Sequence, residues 1–170
     1  MLTRDALRDL VRHMEWADAR MWNAVPRDAT DPRLRVLLTH IHVVQYAFLT
    51  IWTEGDVNAV FEKEKAFTAL DDVRNWARRY FPEVNTFVDE VSTERLAQPV
   101  RMPWAAQIAE YLGHEPGVTT VAETLFQVTS HSTYHRGQVN ARLRDLGAEP
   151  PLVDYIAWLW SGRPAPEWKA

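Results

Sequence analysis

Residues 119–146, TTVAETLFQVTSHSTYHRGQVNARLRDL, decide the fold. Stepping through this stretch by three or four residues gives an apolar stripe with two histidines in its middle. The stripe consists of Val121, Leu125, Val128, His131, His135, Val139, Leu143 and Leu146. This spacing predicts one long amphipathic helix. Gly147 is the residue type that commonly ends such a helix as a C-cap.

Three segments further upstream carry the same periodicity. Residues 3–23 form the first, and Thr3 is its expected N-cap. The second begins at Asp31-Pro32, where aspartate suits the N-cap and proline the first helical position, and it ends at Glu54-Gly55. The third begins with a capping box at Thr68–Asp71. Pro82 should kink this third helix or split it into two.

The remaining segments connect these helices. Residues 97–118 contain three prolines and two glycines, which predicts a long connection with a short extended piece near Pro99–Trp104. Any strand is expected between residues 92 and 118, and residues 153–160 should form a short C-terminal helix. The chain is therefore predicted to be all-α, a four-helix bundle in a single domain over residues 1–170.

Composition excludes several functions. The net charge is −4 and no basic run is present, so we expect no nucleic-acid partner. The chain has no cysteine, so a bound metal must use histidine or carboxylate ligands. The charged N-terminus lacks a signal-peptide core, and no stretch approaches the length of a membrane span without charge. We therefore predict a cytoplasmic protein without membrane contact.

The histidines are the candidate metal ligands. His131 and His135 share one helix face, and either a hydrogen-bonded structural pair or a metal site explains them. The second helix offers His40, roughly 70° from the centre of the expected apolar face, and His42, roughly 130° away. We therefore expect His40 nearer the bundle interior and His42 at the rim. His13 and His114 are expected at the surface.

Several known site types do not fit this pattern. Ser132 stands where an HExxH motif has its catalytic glutamate, so a zinc peptidase of that kind is not indicated. The chain has no G-x-S-x-G nucleophile elbow. It also lacks the paired Glu-x-x-His motifs of di-iron bundles. Any catalysis must therefore come from another arrangement.

Four stretches resemble the DinB-like superfamily of metal-binding four-helix bundles. They are RHMEWADARMW (12–22), HIHVVQYAFLTIWTEG (40–55), HSTYHRGQVNARLRDLG (131–147) and PPLVDYIAWLW (150–160). The resemblance implies a three-histidine divalent metal site, which falls on His40, His131 and His135. It implies zinc or nickel, with manganese or iron as alternatives, and a homodimer. One departure is Gln127, where many relatives carry a further histidine outside this triad.

The resemblance also implies a function. Characterised relatives include thiol transferases that use low-molecular-weight thiols, and others are described as metal-dependent hydrolases. We expect a metal-dependent enzyme that acts on a small molecule through a metal-bound thiol or water. The alternative is a non-catalytic stress-response module that binds metal or ligand. No catalytic side chain is assigned.

Three other residues of the last helix have expected roles. Gln138 is expected to support a histidine ligand, and Gly137 to allow close helix approach. Arg136 is expected in a surface or helix-packing ion pair, with Asp154 as a candidate partner. Periodicity alone cannot decide whether Tyr134, Gln45 or Asp18 reach the site. The tryptophans are expected mostly in the core.

Overall fold

The computed structural model describes residues 2–169, which contain eight helices and one two-stranded antiparallel sheet. The elements are α1 Arg4–Ala24, α2 Pro32–Trp52, α3 Val57–Lys65, α4 Leu70–Glu90, α5 Thr93–Leu96, β1 Pro99–Val100, α6 Ala105–Leu112, β2 Thr119–Thr120, α7 Val121–Asp145 and α8 Tyr155–Trp160. The expected all-α fold is confirmed, with four long helices, a long connection before α7 and a short C-terminal helix.

The four long helices form the bundle. Helices α1 and α2 each pack against both α4 and α7, so α1 and α2 occupy opposite corners of the bundle. Side chains of α1 and α2 can therefore meet only across its centre. Burial of one face of each long helix supplies the main stabilising free energy of such a fold.

Local signals in the sequence fix the helix ends. The Thr3 hydroxyl accepts a hydrogen bond from the backbone N–H of Ala6, and this caps α1. Thr120 and Glu123 form a capping box at the start of α7. Gly147 has φ of 78°, a left-handed conformation that costs glycine little, and its N–H bonds the carbonyl of Arg144. The chain therefore turns away from α7 where the sequence predicts it.

Asp31 connects the start of α2 to the end of α7. Its carboxylate accepts a hydrogen bond from the backbone N–H of Leu34 at 2.7 Å, which caps α2. The same carboxylate receives two hydrogen bonds from the Arg142 guanidinium, at 3.0 and 2.5 Å. Bidentate pairs of this kind are stronger than single charged contacts. The Arg142 hydrogen bond and the N-cap bond lower the pKa of Asp31 to about 2.

Aromatic side chains fill much of the core. Tyr46 stacks on Trp76 with ring centroids 4.2 Å apart, and Tyr80 packs edge-on against Tyr46. The indole N–H of Trp52 donates to the Thr124 hydroxyl at 2.9 Å and so joins α2 to α7. The buried tryptophans are Trp16, Trp22, Trp52, Trp76 and Trp158, whereas Trp160 is exposed. The expectation that most tryptophans lie in the core is confirmed.

Three details of α4 and its neighbourhood differ from the sequence-based expectation. Helix α4 runs unbroken through Pro82, so the expected split is wrong and the alternative, a kink at Pro82, stays a prediction. The N-terminal cap uses Asp72 rather than Asp71, because Asp72 accepts hydrogen bonds from the backbone N–H groups of Thr68 and Ala69. Helix α3 is an additional helix that the sequence analysis does not predict. Asp56 is its N-cap and accepts a hydrogen bond from the backbone N–H of Asn58.

The connection before α7 is more ordered than expected. Pro99 pairs with Thr120 and Val100 with Thr119 in a two-stranded antiparallel sheet. The extended piece expected near Pro99 is present, but its partner strand lies just beyond residue 118, outside the expected limits. Helix α6 lies between the two strands, and none of its residues is buried.

Helix α2 is long and apolar enough to cross a membrane by length and composition. The helix carries Arg33 and Arg35, so this finding does not contradict the expectation that no stretch reaches that length without charge. This helix is also the core helix of the bundle, where it packs against α3, α4 and α7. Its buried side chains include Leu34, Leu38 and Ile41, so packing within the protein explains its apolar character.

The double role of Asp31 predicts a pH-dependent contribution to stability. Its lowered pKa means that the contribution is present above the ordinary aspartate range and is lost as pH falls toward 2. Asp31→Asn keeps an oxygen acceptor for the cap but removes the charge that binds Arg142. We expect a lower urea midpoint than wild type at pH 7, and a difference that shrinks steadily as pH is lowered. A difference that is independent of pH would contradict this assignment.

Candidate metal centre

Three histidines from two helices converge at the junction of α2 and α7. His40 lies on α2, and His131 and His135 lie one turn apart on α7. One ring nitrogen of each lies within 4.8 Å of the other two. The Nε2 atoms of His40 and His131 are 3.2 Å apart. The structure thus brings together the three residues that the sequence singled out.

This spacing fits a tetrahedral ion. Zinc–nitrogen bonds of about 2.0–2.1 Å place two ligand nitrogens about 3.3 Å apart. The observed 3.2 Å between His40 and His131 is close to that value. Three imidazoles form the donor set of many catalytic zinc sites, and they leave one position open. A hydrogen bond between the two rings would also produce this distance, but it does not account for His135 beside both of them.

Gln138 orients His135. The Nδ1 atom of His135 lies 2.7 Å from Oε1 of Gln138. A carbonyl oxygen only accepts, so Nδ1 carries the proton and Nε2 keeps a free electron pair. Metal-bound histidines commonly hold their second nitrogen in this way. The support expected from Gln138 is therefore present. By contrast, Nδ1 of His131 is buried and has no partner among the described residues.

The site is open to solvent on one side. His40 is exposed, and His131 and His135 are half-buried. The ring of Tyr134 packs edge-on against His135, with centroids 5.0 Å apart, and 65% of Tyr134 is exposed. No tryptophan makes a ring contact with the triad among the described residues. A small molecule could therefore approach the three nitrogens from solvent.

Desolvation keeps the imidazole rings of His40 and His131 neutral. Desolvation, followed by the nearby charge of His135, lowers the pKa of His40. Desolvation, followed by His135 and His40, lowers the pKa of His131 to about 4. Neutral imidazole is the form that binds a metal ion. These two side chains are therefore ready to act as ligands at neutral pH.

The orientation of α7 differs from the expected stripe. Ser132 and Arg136 are the buried residues at these two turns, and His131 and His135 flank them at the rim. Helical periodicity predicts the histidines in the stripe because serine and arginine usually face solvent. The buried face of α7 therefore includes Ser132 and Arg136, and these two polar side chains have buried partners on other helices.

The orientation of α2 differs in the same way. His42, expected at the rim, is fully buried, and His40, expected nearer the interior, is exposed. The indole N–H of Trp22 donates to Nε2 of His42 at 2.8 Å, and Nδ1 of His42 donates to Oε1 of Gln45 at 2.8 Å. Both ring nitrogens of His42 are thus occupied. His42 belongs to a polar cluster inside the bundle and lies outside the triad.

The centre of that cluster is an ion pair between α1 and α7. Arg136 donates to Asp18 at 2.7 Å, and the side chains are 1% and 0% exposed. Gln45 donates to the second oxygen of Asp18 at 2.8 Å and to the Ser132 hydroxyl at 3.1 Å. The expected ion pair of Arg136 is present as a helix-packing pair, but its partner is Asp18 rather than Asp154. The pair joins residues 118 positions apart, which helical periodicity cannot identify.

Three other expectations concern residues outside the triad. His13 is buried, contrary to expectation, and its Nε2 donates to the carbonyl of Val153 at 2.9 Å. His114 is exposed, as expected. Gly137 faces open space, since nothing lies within 4 Å of the position where a Cβ would stand. Its expected role in close helix approach is therefore wrong.

The buried pair predicts a large effect on stability. Asp18→Ala leaves the Arg136 charge buried without compensation, which should lower the free energy of unfolding by about 3–5 kcal/mol. Asp5→Ala is the matched control, because it removes an ion pair with Arg8 in which Asp5 is largely exposed. The control should cost less than about 1 kcal/mol. Urea denaturation measures the free energy of unfolding of both variants. Equal decreases in Asp18→Ala and Asp5→Ala would contradict a dominant role for the buried pair.

The comparisons with known proteins agree with this architecture. The family model described as "DinB family" matches residues 3–169. The chain is also similar to "Protein DinB" of Bacillus subtilis (strain 168), with 22% identity over 167 residues that cover 89% of this chain and 92% of that protein. The match extends over the bundle, the histidine triad and the C-terminal segment. The chain therefore belongs to the DinB family.

Proposed function

We propose that His40, His131 and His135 hold one divalent metal ion and that the protein is a metal-dependent enzyme for small molecules. The observation that carries this proposal is the convergence of three imidazoles from two helices at a solvent-accessible position. The spacing of the nitrogens fits an ion, and burial favours the neutral form of His40 and His131. Zinc or nickel suits three imidazoles best, and manganese or iron are the alternatives.

The reaction we propose is thiol transfer. A divalent ion in this site supplies a Lewis acid that lowers the pKa of a thiol or water. In the net reaction a sulfur–carbon bond forms, the bond to the leaving group breaks, and the thiol proton departs with that group. The three imidazoles are neutral donors, so they leave the positive charge of the ion available for a thiolate.

The chain's own residues support a thiol better than water. In the described part of the chain, the cluster of possible metal ligands consists of three histidines and includes no aspartate or glutamate. Metal-dependent hydrolysis by known peptidases uses a carboxylate base next to the ion. A thiol has a far lower pKa than water, and its deprotonation needs less help from the protein. Hydrolysis is therefore the second choice.

A non-catalytic module that binds metal or ligand is the alternative, and the same lack of a base favours it. The exposed His40 and Tyr134 argue for exchange of small molecules at the site.

We also propose a cytoplasmic homodimer without nucleic-acid or membrane partners. The dimer rests on the resemblance, together with exposed apolar side chains such as Phe126, Ile156 and Trp160.

Metal content tests the ligand assignment. Protein purified without a histidine tag is loaded with zinc or nickel, dialysed and measured by mass spectrometry. We expect about one ion per wild-type chain and loss of the ion in the alanine variants of His40, His131 and His135. His114→Ala is the matched control and should keep the ion. Stoichiometric metal in His131→Ala or His135→Ala would contradict the site, and loss in His42→Ala but not in His40→Ala would contradict the third ligand.

Turnover tests the reaction type. The zinc- and nickel-loaded proteins are given bacillithiol, mycothiol or glutathione with an aryl halide, and loss of free thiol is followed. We expect metal-dependent consumption of at least one thiol, and none with His131→Ala. Metal-dependent ester hydrolysis without thiol turnover would favour the hydrolase. The absence of both activities in the metal-loaded wild type would favour the non-catalytic module.

A further inference from the structure

Between Val128 and Val139, helix α7 buries only polar side chains. The buried residues in this stretch are Thr129, Ser132 and Arg136. The same stretch carries two of the three triad histidines. Hydrogen bonds, rather than packing of apolar side chains, therefore hold the histidine-bearing part of α7 against the rest of the bundle.

These hydrogen bonds reach both opposite corners of the bundle. Gln45 on α2 donates to the Ser132 hydroxyl at 3.1 Å. Arg136 donates to Asp18 on α1 at 2.7 Å. Gln45 also donates to Asp18 at 2.8 Å, so hydrogen bonds between side chains connect α1, α2 and α7 to one another. Hydrogen bonds are directional, so this set limits both rotation and sliding of α7 more strictly than apolar contacts would.

The geometry of a helix transmits this constraint to the triad. Ser132 and Arg136 each follow a histidine by one position, and neighbouring residues point about 100° apart. When Ser132 and Arg136 are held inward, His131 and His135 are held at the rim on the side of His40. Ligand sites require their side chains to be placed within about 0.5 Å of the productive geometry. A small rotation of α7 would move two ligands at once.

We propose that Ser132, together with the Asp18–Arg136 pair, forms a positioning set that determines the metal affinity of the triad. None of the three side chains hydrogen-bonds a triad histidine in the described structure, so they act through the placement of α7. This inference rests on the proposed metal site. It predicts that affinity for the ion and stability of the fold respond differently to substitutions in the set.

The test compares two hydroxyl groups on α7. Ser132→Ala removes the acceptor for Gln45 next to His131. Thr124→Val is the matched control, because Thr124 likewise accepts a hydrogen bond from an α2 side chain, Trp52, but lies about 10 Å along the helix from His131. Zinc affinity is measured by competition with a chromophoric chelator, and folding by urea denaturation. We expect Ser132→Ala to weaken zinc affinity by about tenfold and Thr124→Val to change it less than about twofold.

A second variant separates positioning from stability. Asp18→Leu with Arg136→Met replaces the ion pair by apolar side chains, which commonly preserves or raises stability. We expect this double variant to remain folded and to bind zinc at least tenfold more weakly than wild type. The positioning role would be overturned if both this variant and Ser132→Ala bound zinc with wild-type affinity. It would also be overturned if Thr124→Val lost as much zinc affinity as Ser132→Ala. A wild-type protein that binds no divalent ion would instead overturn the proposed function, and the inference with it.

Discussion

The ion pair between Asp18 and Arg136 is the contact around which the centre of the bundle is arranged. Both side chains are essentially inaccessible to water, and charges in such a place require full compensation. Asp18 receives hydrogen bonds from Arg136 and Gln45, and Gln45 in turn reaches His42 and Ser132. Helices α1, α2 and α7 must therefore keep one relative arrangement for all of these bonds to form.

This polar layer explains why the triad lies at the rim. If the face of α7 that carries His131 and His135 had turned inward, as helical periodicity predicts, both histidines would lie in the core. Instead, Ser132 and Arg136 occupy the inward positions and His131 and His135 turn toward His40 and solvent. The cost of a polar interior is offset by its hydrogen bonds. The result is a site in which desolvation keeps the rings of His40 and His131 neutral and one side stays accessible to solvent.

The sequence predicted much of the fold because its signals are local. Thr3 and Asp31 cap helices within one turn, and Gly147 ends α7 by its own conformational preference. The triad residues followed from their spacing and from the family resemblance. The orientation of α2 and α7 did not follow, since helical periodicity treats polar residues as outward-facing. Gln45 and Arg136 are polar and buried, and their partners lie on other helices far along the chain.

X-ray absorption spectroscopy of the zinc-loaded wild-type protein measures the ligands of the proposed metal site. We expect a coordination shell with three imidazole nitrogens at about 2.0–2.1 Å and one further light-atom ligand. Addition of a low-molecular-weight thiol should replace that ligand by a sulfur at about 2.3 Å, with the three nitrogens retained. A shell with fewer than three imidazoles, or one dominated by carboxylate oxygens, would contradict the account.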